Sequence, residues 1–144
     1  MSINVIVVGI DESPGSQAAA RWAGEAAAQL EARIVAVHAY EPLDHLEDIG
    51  PGVDFVDVRD DIAEQMQDVW CQTFRAAGVP FETRIAEGRP ADVVMGAARD
   101  VNADLIVVGT RRMGAVTALA LGSTADQVMR EALRPVVVIH PPGE

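Results

Sequence analysis

The residues best suited to chemistry lie between Asp104 and Thr124, which read DLIVVG, then TRRMGAVTALAL, then GST. An apolar strand pattern stops at Gly109, a loop containing Gly114 follows, and Gly122-Ser123-Thr124 opens a helical pattern. A helix start offers unpaired N–H groups and the positive end of a dipole, an arrangement that suits a phosphate. Ordinary turn glycines would join a strand to a helix in the same way. The three glycines together with two adjacent hydroxyls favour the anion site, because simple N-capping occupies only one hydroxyl.

Asp11 is the second candidate. It directly follows the apolar run INVIVVG (Ile3 to Gly9), and spacing alone leaves two uses for its carboxylate. It could accept hydrogen bonds from a ribose or from metal-bound water, or it could form the turn that caps the next helix. The loop GIDESPGS lacks GxGxxG spacing, which weakens a dinucleotide reading. His38, His45 and His140 match no metal-ligand spacing. Cys71 beside Trp70 reads as a packed thiol, and Ser13 and Ser16 have no histidine placed to make them nucleophiles, so no catalytic residue is assigned.

Composition narrows the chemistry further. All eleven basic residues are arginine. The missing lysine removes a Walker A clamp and any lysine nucleophile, so a cation meeting a phosphate here is an arginine or a metal. A net charge of −11 argues against a nucleic-acid surface. No apolar run approaches the roughly 20 residues that cross a bilayer. MSINVIVVG carries no basic region and reads as a strand rather than a signal peptide. The single cysteine fits a reducing cytoplasm.

These residues need elements to hold them, and the periodicities alternate between two kinds. Strand patterns cover Ile3 to Gly9, Arg33 to Tyr40, Phe81 to Ala86, Asp104 to Val108 and Val136 to His140. Helical patterns cover Pro14 to Leu30, Val58 to Ala77, Pro90 to Val101 and Ser123 to Leu133, with Ser13 placed as an N-cap. Glu41 to Asp57, rich in acids, prolines and glycines, reads as a surface loop, and the acids from Asp44 to Asp68 as a solvated loop and face. Trp22 and Trp70 fall on helical apolar stripes and are expected in the core. Continuous Val/Ile runs indicate a sheet covered on both faces and hence mostly parallel. The expectation is an α/β fold: one domain over residues 1–144, a doubly wound, Rossmann-like sheet of five strands.

VVGIDESPGSQAAARWA, EGRPADVVMGAA and ADLIVVGT…LALGSTADQVM…RPVVVIHP give the chain a further character. On these segments it resembles the universal stress protein family along nearly its whole length. The family's nucleotide-binding branch has the pattern Gly, two residues, Gly, nine residues, Gly, then Ser or Thr. On this chain the first glycine is Gly109, the last is Gly122 and the hydroxyl is Ser123, while the second glycine position holds Arg112. Arginine does not admit the close backbone approach or positive φ that glycine allows. Gly114 can retain part of the curvature. Arg111 or Arg112 either adds charge to the phosphate site, fills the pocket or stays solvated.

The resemblance implies a cytoplasmic stress-response module that binds ATP, with Mg²⁺ as a companion ion and other adenine nucleotides as further ligands, and hydrolyses it slowly or not at all. It implies that Gly9 and Asp11 close one side, with Asp11 on the ribose, and that Ala39 meets adenine through backbone groups. Gly109, Thr110, Arg111, Arg112, Met113 and Gly114 would wrap the phosphates, with Ser123 and Thr124 completing the site. It also implies a homodimer through Val136 to His140, which has a physical motive in that an apolar edge strand left open invites aggregation. The alternative is a homodimeric interaction protein of the same fold that binds no nucleotide, which Arg112 favours. A nucleotidyl-transfer enzyme is the least favoured, because no second-substrate chemistry is visible.

Overall fold

In the computed structural model, residues 1–40, 55–110 and 122–141 are described, with side chains from residue 59 onward in the second segment. The elements run β1 (Val5–Gly9), α1 (Pro14–Leu30), β2 (Arg33–Tyr40), α2 (Phe55–Gln65), a π-helical segment (Met66–Trp70), α3 (Gln72–Ala77), β3 (Phe81–Glu87), α4 (Pro90–Asp100), β4 (Leu105–Gly109), α5 (Ser123–Glu131) and β5 (Val136–Ile139). The five strands form one sheet in the order β3-β2-β1-β4-β5. Every pairing is parallel, so the sheet is wholly rather than mostly parallel.

The side chains of β1, β2, β4 and β5 alternate between two cores, and β3 contributes Phe81 and Ile85 to the first. Ile6, Val8, Ile34, Ala36 and Val107 join one cluster with α1, the π segment and α3. Val7, Val35, Val37, Ile106 and Val108 join the other with α4 and α5. Helices cover both faces, which is why the strands read as unbroken apolar runs rather than as in/out alternation. The strand order reverses between β1 and β4, and a parallel sheet opens a crevice beyond its carboxyl edge at such a point.

Three sequence expectations change. Trp22 is 37% exposed rather than buried, and Leu30 is exposed as well. The buried side of α1 is made of Ala19, Ala20, Ala23, Gly24 and Ala27, small residues that let the helix lie close to the sheet and leave the large ones on its flank. The Val58 to Ala77 helix starts at Phe55, which takes residues 55–57 from the expected loop, and it is broken by the π segment. The remainder of that loop, residues 41–54, lies outside the described residues. Gly78, at φ +72°, ends the run in the left-handed conformation that glycine adopts without a Cβ penalty.

Candidate functional site

The crevice at the switch point is a cleft of about 470 Å³. Its floor is built from strand ends. Gly9, Ile10 and Asp11 follow β1, His38 and Ala39 end β2, and Gly109 and Thr110 end β4.

The β1 side is held by a closed set of hydrogen bonds. Asp11 Oδ1 accepts from the Ser13 amide at 2.7 Å, and the Asp11 amide donates to Ser16 Oγ at 2.7 Å. Ser13 caps α1, its Oγ accepting from the Ser16 amide at 3.2 Å. The turn reading of Asp11 is therefore realised through one carboxylate oxygen, while the residue still lines the cleft. Ser13 and Ser16 are both buried, so these bonds replace water that the hydroxyls have lost.

The β2 side is tied to the same loop twice. The Ile10 amide donates to Val37 O at 2.8 Å, and His38 Nδ1 lies 2.8 Å from Ile10 O. A carbonyl only accepts, so Nδ1 carries the proton of this bond. The ring packs against Trp70 with centroids 5.2 Å apart at 57°. In sequence His38 showed only that it matches no metal-ligand spacing; the geometry makes it a brace between the two strand ends.

On the β4 side, Gly109 is glycine for a steric reason. A Cβ there would stand 2.6 Å from the carbonyl carbon and oxygen of Gly15, at the start of α1. Thr110 follows, its amide donating to Ile139 O and its carbonyl accepting from the Gly122 amide at 2.5 Å. This second bond closes the loop between β4 and α5 at its base. Thr110 is 3% exposed, and its Oγ1 has no hydrogen-bond partner among the described residues. A buried hydroxyl left in that state costs about 1–3 kcal/mol, so its place in a cleft wall points to a ligand or water partner.

At the start of α5, Gly122 is the N-cap and supplies no side-chain bond. The amides of the first turn are thus left for an outside acceptor. Thr124 and Gly122 line the cleft, whereas Ser123 is exposed and is not among the lining residues. Arg111, Arg112, Met113 and Gly114 lie outside the described residues. Among the described lining residues the only carboxylates are Asp11 and Glu12, and there is no arginine.

Sequence reasoning missed the wall opposite β4, formed by Ile62, Gln65 and Trp70. These residues carry the signature of a helix packing on a core, which gives no separate sign of a cleft. Among the described residues, no group of three or more His, Cys, Asp or Glu could hold a metal, and no helix is long and apolar enough to cross a membrane.

The profile described as "Universal stress protein family" matches residues 2–140. A universal stress protein of Thermus aquaticus is 38% identical over 131 residues, covering 88% of this chain and 93% of that protein. The chain spans only about half the length of several other curated relatives it matches, such as 47% of one from Mycolicibacterium smegmatis at 33% identity over 94% of this chain. Among solved structures, a universal stress protein in complex with cAMP superposes with a TM-score of 0.77 at 28% identity, covering 98% of this chain and 99% of that one. A second, from Archaeoglobus fulgidus in complex with dAMP, has a TM-score of 0.68, covers 95% of this chain and 97% of that one, and at 22% identity shows the shared fold.

Proposed function

The chain belongs to the universal stress protein family, and from that membership we propose that its cleft binds an adenine nucleotide, ATP foremost, as a regulatory ligand. The observation that carries this reading is the buried Thr110 Oγ1, without a partner among the described residues, beside an α5 N-terminus that has no side-chain cap. Together they offer a hydroxyl donor, free amides and a positive dipole end to a phosphate. Asp11 keeps a carboxylate oxygen for the ribose hydroxyls, and the end of β2 at Ala39 takes the base. That two solved relatives hold cAMP and dAMP supports an adenine nucleotide as the ligand class.

Turnover of bound ATP is slow or absent. The described lining residues include no cation to stabilise a transferred phosphoryl group. Arg111 and Arg112 are the cations nearest in sequence, with Mg²⁺ as the metal that phosphates would bring. The buried free thiol of Cys71 fits a reducing, cytoplasmic setting for this single-domain chain. A homodimer joined at β5 is part of the same reading.

Calorimetry with ATP, AMP and cyclic AMP, with and without Mg²⁺, tests it. Saturable ATP binding that weakens about tenfold in Thr110→Val is the expected result, a hydrogen bond to a charged group contributing about 1.5–3 kcal/mol. No heat with any of them at millimolar concentration overturns it. A second reading rests on Arg112, which stands where the family pattern has glycine: the chain is an interaction protein whose loop excludes nucleotide. That reading predicts no binding by the native chain and clear ATP binding by Arg112→Gly.

A further inference from the structure

The helical run between β2 and β3 changes winding between Met66 and Trp70. The Cys71 amide donates to Met66 O at 2.9 Å, five residues back, where an α-helix would bond four back. One extra residue in a turn rotates everything after it. The cleft wall shows the consequence, because it is made by Ile62, Gln65 and then Trp70, spaced three and five apart. Continuous α-helical spacing would have put Val69 at that third place. Val69 is instead turned outward and is 54% exposed, while Trp70 is 6% exposed in the wall beside His38. Met66, Cys71 and Phe74 take the core positions behind it. The π segment therefore exchanges an aliphatic side chain for an indole at one point of the cleft.

We propose that Trp70, set by this π segment, contacts the base from its side while Ala39 at the end of β2 meets it through backbone groups, and that the indole selects ligands that carry a planar base over ribose phosphates without one. The inference rests on the nucleotide reading above. Trp70 and Ile62 bring the helical run between β2 and β3 to the cleft beside Val37 and Ala39 of β2, whereas the hydroxyls of Thr110 and Thr124 come from the end of β4 and the start of α5. His38, fixed by its bond to Ile10 O, packs against the indole from one side. Aromatic side chains accept any base face, and such stacking contributes enough that losing one ring weakens binding about fivefold or more.

The chain has two tryptophans, so Trp22→Phe makes Trp70 the sole indole. In that variant AMP should change the Trp70 emission saturably, with the midpoint that calorimetry gives, while ribose 5-phosphate leaves the emission unchanged. Trp70→Leu should weaken AMP about fivefold or more and leave ribose 5-phosphate binding as it was, with Trp70→Phe close to native. If Trp70→Leu fails to fold, the emission titration and Trp70→Phe decide alone. AMP binding seen by calorimetry with no change in emission, or with full affinity retained in folded Trp70→Leu, overturns the role of Trp70 and leaves the nucleotide reading intact. No calorimetric binding of AMP or ATP to the native chain overturns both.

Discussion

Cys71 shows how far one residue's surroundings can depart from its ordinary chemistry. It is fully buried, and that burial pushes its thiol up from 9.0 to about 11 against the opposing pull of Arg75. The thiol therefore stays protonated and unreactive in the folded chain, as its sequence context suggested. The shift also has a consequence for stability. Between pH 9.0 and about 11 the unfolded chain has lost this proton while the folded chain keeps it, so stability falls as pH rises through that window. The contribution is complete below 9.0. Tyr40, raised above 10.0 by its own burial and then by Glu87, adds a decline of the same sign. Thermal midpoints measured across this range should drop more steeply for the native chain than for Cys71→Ala, whose remaining slope belongs to Tyr40 and the other groups. Equal slopes would mean that the Cys71 proton is not held by the fold.

The contact between β4 and the start of α1 is the tightest joint in the site. A Cβ on Gly109 would meet backbone atoms of Gly15 at 2.6 Å and the Ser16 amide nitrogen at 3.0 Å, and backbone cannot rotate aside. Gly109→Ala should therefore push α1 away from β4, costing about 1–3 kcal/mol as an overpacked core does, and disturb the Asp11–Ser13–Ser16 turn with it. Gly96→Ala in α4 is the control. Its Cβ would meet only the end of the Arg99 side chain at 3.7 Å, so it should raise stability by about 0.4–1 kcal/mol. Urea unfolding of the two variants measures both, and a Gly109→Ala chain as stable as native would show that the joint yields. The same elements show what the sequence could reveal. Strand ends carry Asp11 and Gly109 in plain view, because a Val/Ile run that stops at a polar or glycine residue marks both the strand and its carboxyl end. The bounds of α1 and β2 match their periodicities for that reason. The opposite wall was not legible, because a π insertion leaves no compositional mark and moves the apolar stripe by one residue. That shift is why Val69 lies exposed while Trp70 takes its place in the wall. The steric demand behind Gly109 was equally hidden, since it depends on a partner in another element.

At the scale of the whole molecule two features oppose each other. β5 forms one edge of the sheet, and its residues Val136 to Ile139 are all only partly buried. Beside it Leu133 is 95% exposed, and Met129 is also exposed. Apolar side chains around an open strand edge favour pairing with a second copy. The chain also carries a charge of −11, which makes two copies repel one another. Salt screens that repulsion, with a Debye length near 10 Å at about 0.1 M, and leaves apolar burial in place. The expected dimer is therefore one that tightens as salt is added, opposite to an assembly held by ion pairs. Sedimentation equilibrium should give twice the 15.3 kDa chain mass at high concentration. Its dissociation constant should fall severalfold between about 20 mM and about 500 mM NaCl. Leu133→Glu places a carboxylate at a position exposed in the single chain, so it should leave the fold stable and shift the population to monomer at every salt concentration. A native chain that sediments as a monomer throughout, or a dimer that loosens with salt, would mean that β5 is not where two copies meet.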